Sequence, residues 1–252
     1  MNNKPLIYLV HGWGMNQAVW QQTAEMLTAH FKIKCLDLAG FGTKSAIQLE
    51  PYDLPHLADE LRHQIDEPGW IMGWSLGGLV AQHIAINNQS LVQGLITVAS
   101  TPCFAEKSDW PGIKQSVLQS FQQQLANDYQ ITLARFLAIQ TMGSPTAKQD
   151  IKTLKQQLLA YPEPHLSALT GGLVILEKAD LRNDINKITC PTLRIYGRLD
   201  SLVPRKAIKK IQALQPNAAH HIFAHASHAP FISHIDEFIA CIESYLSNLT
   251  LE

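Results

Sequence analysis

Residues 70–81 read Trp-Ile-Met-Gly-Trp-Ser-Leu-Gly-Gly-Leu-Val-Ala, in which an apolar run leads into Gly-Trp-Ser-Leu-Gly and then into a segment with helical spacing. The pattern Gly-x-Ser-x-Gly between a buried strand and a helix is typical of a sharp turn that exposes a serine hydroxyl above a sheet. Small residues at Gly73 and Gly77 allow this turn, and the helix N terminus offers backbone N–H groups and a favourable dipole to a developing negative charge. The stretch therefore predicts Ser75 as a nucleophile.

Short apolar runs rich in β-branched or aromatic residues recur along the chain, and segments with helical spacing separate most of them. We interpret the runs as buried strands of a mainly parallel sheet, at residues 6–10, 33–38, 70–74, 95–99, 192–196 and 221–224. The predicted helices are residues 18–30, 54–65, 76–87, 205–214 and 235–246. This alternation predicts the α/β fold class, with a mainly parallel sheet flanked by helices.

The alternation stops between about Cys103 and Asp184, where the sequence is rich in Gln, Leu and Ala and has helical periodicity without a convincing strand. We interpret this segment as a helical lid inserted between two strands. Open α/β sheets bind ligands at the carboxyl edge of their strands, so the lid is expected to form one wall of the pocket. The predicted organisation is a core of residues 1–103 and 185–252 with a lid of residues 104–184.

The composition describes an ordinary globular protein: of 252 residues, 46% are hydrophobic and 16% are charged, and the formal net charge is −1. The near-neutral charge gives no reason to expect binding to nucleic acid or to a membrane. No apolar run reaches the roughly 18 residues of a membrane span, and the N terminus shows no signal-peptide pattern, so we expect a cytoplasmic protein. We also expect a monomer. The four cysteines lack metal-ligand spacing and are expected to be small buried hydrophobes without disulfides: Cys35, Cys103, Cys190 and Cys241. The sequence implies no metal and no organic cofactor.

A serine hydroxyl becomes a useful nucleophile only when a neighbouring base removes its proton, so the serine turn requires a histidine and, beyond it, a carboxylate. On this type of sheet the chain order is serine, then acid, then histidine, with the acid after a late strand and the histidine after the last one. Asp200 follows the predicted strand 192–196, and His228 follows the strand 221–224. The sequence therefore predicts His228 as general base and Asp200 as the residue that orients it.

Other acids and histidines compete for these roles. Asp180 and Asp184 precede the late strand and are expected to cap or terminate lid helices. Among the histidines, His225 is expected at a strand end, His234 at the start of the last helix, and the remaining pair as exposed polar residues, His220 and His221. None of these alternatives has the position of Asp200 or His228 relative to the predicted strands.

The oxyanion hole is expected to combine two backbone N–H groups, one from the residue after the nucleophile and one from a loop after an early strand. The first is that of Leu76. The second is assigned to Trp13, in the loop His11-Gly12-Trp13-Gly14 that directly follows the first predicted strand. A buried role for the Trp13 ring is compatible with this assignment, and His11 is interpreted as a residue that braces the loop.

With these residues located, the chain resembles the α/β-hydrolase superfamily, also through Asp37-Leu38-Ala39-Gly40-Phe41-Gly42 and Gly197-Arg198-Leu199-Asp200. It is more closely similar to the pimeloyl-[acyl-carrier protein] methyl ester esterases of biotin synthesis. That resemblance runs nearly end to end and includes the lid, in the runs Trp110-Pro111-Gly112-Ile113-Lys114, Arg135-Phe136-Leu137-Ala138-Ile139-Gln140-Thr141-Met142-Gly143 and His228-Ala229-Pro230-Phe231-Ile232-Ser233-His234.

The resemblance implies hydrolysis of the methyl ester of a pimeloyl chain on acyl-carrier protein, which gives the carrier-bound acid and methanol. It implies that the following residues surround the substrate: Trp13, Ser75, Leu76, Phe136, Leu137, Ala138, Ile139, Gln140 and His228. It also implies that basic lid residues contact the acidic carrier, at the matching positions Arg135, Lys148 and Lys152, with Lys155 one turn further on.

Two observations qualify this picture. Lys148, Lys152 and Lys155 have helical spacing and share one helix face, which could equally be a solvated lysine face. Ile131 occupies a lid position where a well-known member of the family carries an arginine, so carrier binding here is expected to use fewer lid charges, and Ala39 replaces a usual proline.

Two alternatives remain open at the level of sequence. One is a broad short-chain carboxylesterase or a carbon–carbon bond hydrolase that uses the same triad. The other, of a different class, is a non-catalytic binding protein built on the hydrolase fold.

Overall fold

The computed structural model describes residues 4–140 and 146–249, without the side chains of Ala126, Tyr129, Ile139, Gln140, Ala147, Asp150 and Gln157. Six strands form one parallel sheet in the order β2-β1-β3-β4-β5-β6. The strands are β1 Leu6–Val10, β2 Lys32–Leu36, β3 Gly69–Trp74, β4 Val92–Val98, β5 Thr192–Gly197 and β6 Ala219–Phe223. This parallel sheet with helices on both faces confirms the predicted fold class.

Ten α-helices accompany the strands within the described residues. Their bounds are α1 Gln21–Leu27, α2 Leu54–Arg62, α3 Leu76–Asn87, α4 Gln115–Asn127, α5 Tyr129–Gln140, α6 Ala147–Leu159, α7 Leu166–Lys178, α8 Arg205–Leu214, α9 Pro230–Ser233 and α10 Ile235–Leu249. No described helix is long and apolar enough to cross a membrane.

The core has two layers because successive strand side chains point to opposite faces of the sheet. Tyr8 and Val10 of β1 pack on the side that also holds buried residues of α2, α3 and α8. Ile7 and Leu9 pack on the other side with buried residues of α1 and α10. The central strands β1, β3 and β5 are buried along their whole length, which explains why they read as continuous apolar runs rather than alternating ones, whereas the edge strands β2 and β6 are partly exposed.

Each of the predicted strands is present, with bounds that differ by at most three residues. The predicted helix 18–30 is wrong in detail: the structure has a 3-10 turn at Gln17–Trp20 and then the short helix α1. The side chain of Asn16 explains the early start, because its oxygen accepts a hydrogen bond from the N–H of Ala18 at 3.0 Å and caps the turn.

Four helices, α4 to α7, lie between β4 and β5, where the sequence predicts a helical insertion. Within the described part of this segment the only pairing of extended backbone is two isolated bridges, Ala105 with Ile113 and Lys107 with Trp110. The carboxyl ends of β3, β5 and β6 lead directly to the three residues predicted for the catalytic triad.

Candidate active site

Ser75 lies at the turn between β3 and α3, with a backbone φ of 55° and ψ of −117°. Side chains of L-residues rarely adopt this conformation, so neighbouring contacts must hold it. Its N–H donates to the carbonyl of Val98 at 2.9 Å, and its own carbonyl accepts from Ser100 Oγ at 2.8 Å. A Cβ on Gly73 would lie 2.5 Å from the carbonyl carbon of Gly77, which explains the glycine at that position.

His228 and Asp200 form a buried pair beside this turn. His228 Nδ1 lies 2.8 Å from Asp200 Oδ2, and both side chains are fully buried. The other carboxylate oxygen, Oδ1, accepts from the N–H groups of Leu202 at 2.7 Å and Val203 at 3.1 Å. Because an ionised carboxylate only accepts hydrogen bonds, the pair fixes the proton of a neutral imidazole on Nδ1 and leaves Nε2 free to accept one.

Nε2 of His228 is buried and has no hydrogen-bond partner among the described residues. The loop that carries it is attached to the residue before the nucleophile, since Trp74 Nε1 donates to the carbonyl of His228 at 2.9 Å. Ser75 is itself only 2% exposed. In ligand-free sites the hydrogen bond between base and nucleophile is often open and closes only around the substrate. The geometry therefore offers an unpaired base beside a buried, strained serine.

The competing acids are occupied elsewhere. Asp180 binds Arg182 through both carboxylate oxygens, and Asp184 accepts from Lys187 Nζ at 2.6 Å. Neither has a histidine partner among the residues described.

The competing histidines are also separate from the serine turn. His220 and His221 are exposed on β6, as expected. His225 lies beyond the end of β6 at Phe223, so its placement at the strand end is wrong. His234 Nδ1 lies 2.8 Å from Ser233 Oγ, immediately before α10.

The loop after β1 lies against the serine turn. A Cβ on Gly12 would lie 3.2 Å from the Cβ of Ser75. Trp13 is fully buried, its Nε1 donates to the carbonyl of Leu169 in α7 at 2.8 Å, and its ring meets that of Phe136 edge to face at 4.7 Å. The loop expected to complete the oxyanion hole is thus fixed between the sheet and two of the inserted helices.

His11 and Asp37 hold this loop to the one after β2. His11 Nδ1 donates to the carbonyl of Gly12 at 2.8 Å, and Nε2 accepts from the N–H of Leu38 at 3.1 Å. Burial lowers the pKa of His11, although Asp37 opposes this, and the two ring hydrogen bonds fit a neutral imidazole. Asp37 accepts from the N–H groups of Gln17 and Thr43 at 2.7 and 2.8 Å, a bracing role that sequence reasoning missed.

The inserted helices place the predicted substrate residues unevenly. Phe136 and Leu137 are buried, and Phe136 packs between Trp13 and Phe121. Ala138 is exposed. The side chains of the remaining two, Ile139 and Gln140, lie outside the described residues.

The predicted carrier contacts are exposed. Arg135 is held by Gln124, whose Oε1 accepts from Nη1 at 2.7 Å, and its guanidinium lies 5.5 Å from the ring centroid of Phe121. The three lysines lie on α6: Lys148, Lys152 and Lys155.

A cavity of about 400 Å³ lies between α5, α6 and the loop after β1. Its walls include the apolar residues Leu133 and Leu158 and the charged residue Lys155. Neither Ser75 nor His228 lines it, although Gly14 and Leu137, which do, directly follow Trp13 and Phe136 in the chain. A molecule in this cavity would lie beside α5 and α6 rather than against the predicted triad.

Solved structures resemble the whole chain. An esterase from Exiguobacterium antarcticum superposes with a TM-score of 0.87 at 19% identity, covering 98% of this chain and 93% of that one. An enol-lactonase from Burkholderia xenovorans gives a TM-score of 0.84 at 18% identity, with coverage of 98% and 92%. At these identities the likeness concerns the fold alone.

Sequence comparison is more specific. The alpha/beta hydrolase fold family matches residues 5–235. A protein from Citrobacter koseri named pimeloyl-[acyl-carrier protein] methyl ester esterase is 47% identical over 232 residues, which cover 92% of this chain and 90% of that protein. The chain belongs to the α/β-hydrolase fold family and, within it, to the family of the pimeloyl-[acyl-carrier protein] methyl ester esterases.

Proposed function

We propose that this protein is a serine esterase that hydrolyses the methyl ester of pimeloyl-[acyl-carrier protein] to pimeloyl-[acyl-carrier protein] and methanol in biotin synthesis. The observation that carries the proposal is the buried pair of His228 and Asp200 beside the strained Ser75, in a chain that aligns with the esterase from Citrobacter koseri over nine-tenths of its length. We place the reaction in the cytoplasm and assign it to a monomer.

In the proposed mechanism His228 Nε2 takes the proton of Ser75 as Oγ attacks the ester carbonyl. The tetrahedral oxyanion is stabilised by the N–H groups of Leu76 and Trp13. Asp200 stabilises the imidazolium that forms, because its Oδ2 accepts from Nδ1. His228 then gives the proton to the departing methoxide oxygen, and methanol leaves.

The second half of the reaction uses the same groups. The acyl-enzyme joins Ser75 Oγ to the distal carbonyl of the pimeloyl chain, whose other end is still the thioester on the carrier. His228 removes a proton from water as it attacks this ester, and the proton returns to Ser75 Oγ as the carboxylic acid leaves and then loses its own proton to solvent. The thioester is not cleaved at any step.

The residues 104–184 act as a lid in this proposal. Phe136, Leu137, Ala138, Ile139 and Gln140 are assigned to the substrate wall, supported by the contact of Phe136 with Trp13. The exposed basic residues are assigned to the acidic carrier: Arg135, Lys148, Lys152 and Lys155.

The test compares kcat/KM for pimeloyl-carrier methyl ester, free dimethyl pimelate and p-nitrophenyl esters. The carrier-bound ester is expected to give the highest value, and Ser75→Ala is expected to lower turnover of every ester by several orders of magnitude. Activity confined to the free esters would favour a broad carboxylesterase instead. Binding of the carrier ester without turnover by the wild type would favour a non-catalytic protein.

A further inference from the structure

The first half of α8 is strongly basic. It reads Arg-Lys-Ala-Ile-Lys-Lys over residues 205–210, and no Asp or Glu occurs anywhere from residue 201 to residue 235. Arg205, Lys206, Lys209 and Lys210, here called the basic face, are exposed, whereas Ala207, Ile208 and Ile211 are buried against the sheet. At 100° per residue the four cations occupy one side of the helix. In a chain of net charge −1 this is a pronounced local concentration of positive charge.

The side chains of the basic face are not ion-paired within the described structure. None of its four side chains forms an ion pair within 4.0 Å with any residue the structure describes. Asp109 is exposed and lines the same cavity as Lys210, but its Oδ1 pairs with Arg182 Nη1 at 3.4 Å.

Two of these cations also oppose the helix dipole. The N-terminal turn of a helix favours negative side chains, yet Arg205 and Lys206 occupy the first turn of α8, which has no acidic residue. Lysine and arginine at these positions do not stabilise the isolated helix, so local stability does not account for them. A negatively charged partner would account for them.

The basic face stands at the same edge of the sheet as the triad. The strands are parallel, so the end of β5 that leads to Asp200 lies at the edge that carries Ser75. The segment before α8 is bonded to the triad itself, because the N–H of Val203 donates to Asp200 Oδ1 at 3.1 Å. A protein that bound the basic face would therefore lie over the rim of the active site.

We propose that the basic face of α8 is a docking surface for the acidic acyl-carrier protein, which contacts it while its acyl arm enters the site from that rim. This inference rests on the proposed function. Charge complementarity of this kind speeds association and weakens with salt.

The test neutralises the basic face in the full-length enzyme with Arg205→Gln, Lys206→Gln, Lys209→Gln and Lys210→Gln together. We expect kcat/KM for the carrier-bound methyl ester to fall roughly ten-fold, through KM, and its decrease with salt to become shallower. Turnover of free dimethyl pimelate should not change, because these side chains do not line the triad. Lys32→Gln with Lys34→Gln, on β2 at the far edge of the sheet, removes two positive charges away from the basic face and should leave both substrates unaffected.

Lys148→Gln with Lys152→Gln and Lys155→Gln measures the lid contribution separately. If the wild type prefers the carrier ester and the basic-face variant has the same kinetics, this inference is overturned and the proposed function remains intact. Loss of binding to anionic lipid vesicles in that variant would not change this conclusion. A wild type that does not turn over the carrier ester would overturn both.

Discussion

At the scale of single residues, Asp200 has two separable contacts. Oδ2 receives the Nδ1 proton of His228, and Oδ1 receives the N–H groups of Leu202 and Val203. The first contact sets the imidazole tautomer and stabilises its protonated form, and the second holds the carboxylate in place. Removing the charge without removing the shape should therefore affect the reaction much more than the fold.

Asp200→Asn is expected to lower kcat by roughly 10³- to 10⁴-fold, because an amide nitrogen facing Nδ1 donates and forces the wrong tautomer. The amide oxygen can still accept from Leu202 and Val203, so the thermal unfolding midpoint should shift by only a few degrees. Asp180→Asn is the control, since Asp180 pairs with Arg182 and not with a histidine. A full rate in Asp200→Asn, or an equal loss in Asp180→Asn, would refute the assignment of the triad acid.

The positions of Ser75, Asp200 and His228 could be predicted from sequence because each follows the end of an apolar strand, and parallel strands bring their ends to one edge. The bracing role of Asp37 could not, because its partners are backbone N–H groups of Gln17 and Thr43 on separate loops. The bond from Trp74 to the carbonyl of His228 spans 154 residues and has no local signal either. The apolar pattern of the sequence identifies which residues follow the carboxyl ends of the strands. The hydrogen bonds that hold these residues in place depend on loop conformation, which the pattern does not specify.

At the scale of elements, the loops after β1 and β2 depend on a neutral histidine. Burial lowers the pKa of His11 below its ordinary value of 6.5, and its Nε2 must accept from the N–H of Leu38. The unfolded chain takes up a proton at this residue below pH 6.5 while the folded chain does not. The corresponding stability is therefore present above pH 6.5 and is lost as the pH falls towards the folded pKa.

We expect the free energy of unfolding to decrease between pH 7 and pH 5, with His11 contributing at most about 1.4 kcal/mol per pH unit. His11→Gln should flatten this dependence, although part of it should remain because burial also lowers the pKa of His83. His30→Gln, at an exposed side chain, is the control and should keep the wild-type slope. Denaturant titrations across this range measure the effect, and an unchanged slope in His11→Gln would show that His11 takes up its proton in the folded protein as it does in the unfolded chain.

The boundaries of helices were predicted well where a buried apolar segment defines them, and less well where a polar side chain caps the element. Residues 76–87 form α3 as predicted, since an apolar segment buried beneath the sheet leaves little freedom. Residues 18–30 divide because Asn16 caps a 3-10 turn. The attachment of the inserted helix α7 to Trp13 had no sequence signal, because the indole N–H of Trp13 and the carbonyl of Leu169 are 156 residues apart in the chain.

At the scale of the whole molecule, the triad is enclosed. Ser75 and His228 are 2% and 0% exposed, and the cavity beside α5 and α6 stops short of both. An extended acyl arm on a carrier suits such a site, because the carrier can remain on the surface while the distal ester reaches the serine.

The proposed mechanism is tested most directly by measuring which covalent intermediate the enzyme carries during turnover. In the proposed mechanism the acyl-enzyme still carries the thioester, so quenching the reaction of pimeloyl-carrier methyl ester should trap a conjugate of enzyme and carrier joined at Ser75. Methanol should appear with that conjugate, and Ser75→Ala should form neither. Free carrier thiol released in the first step, or a conjugate joined at another residue, would contradict the account.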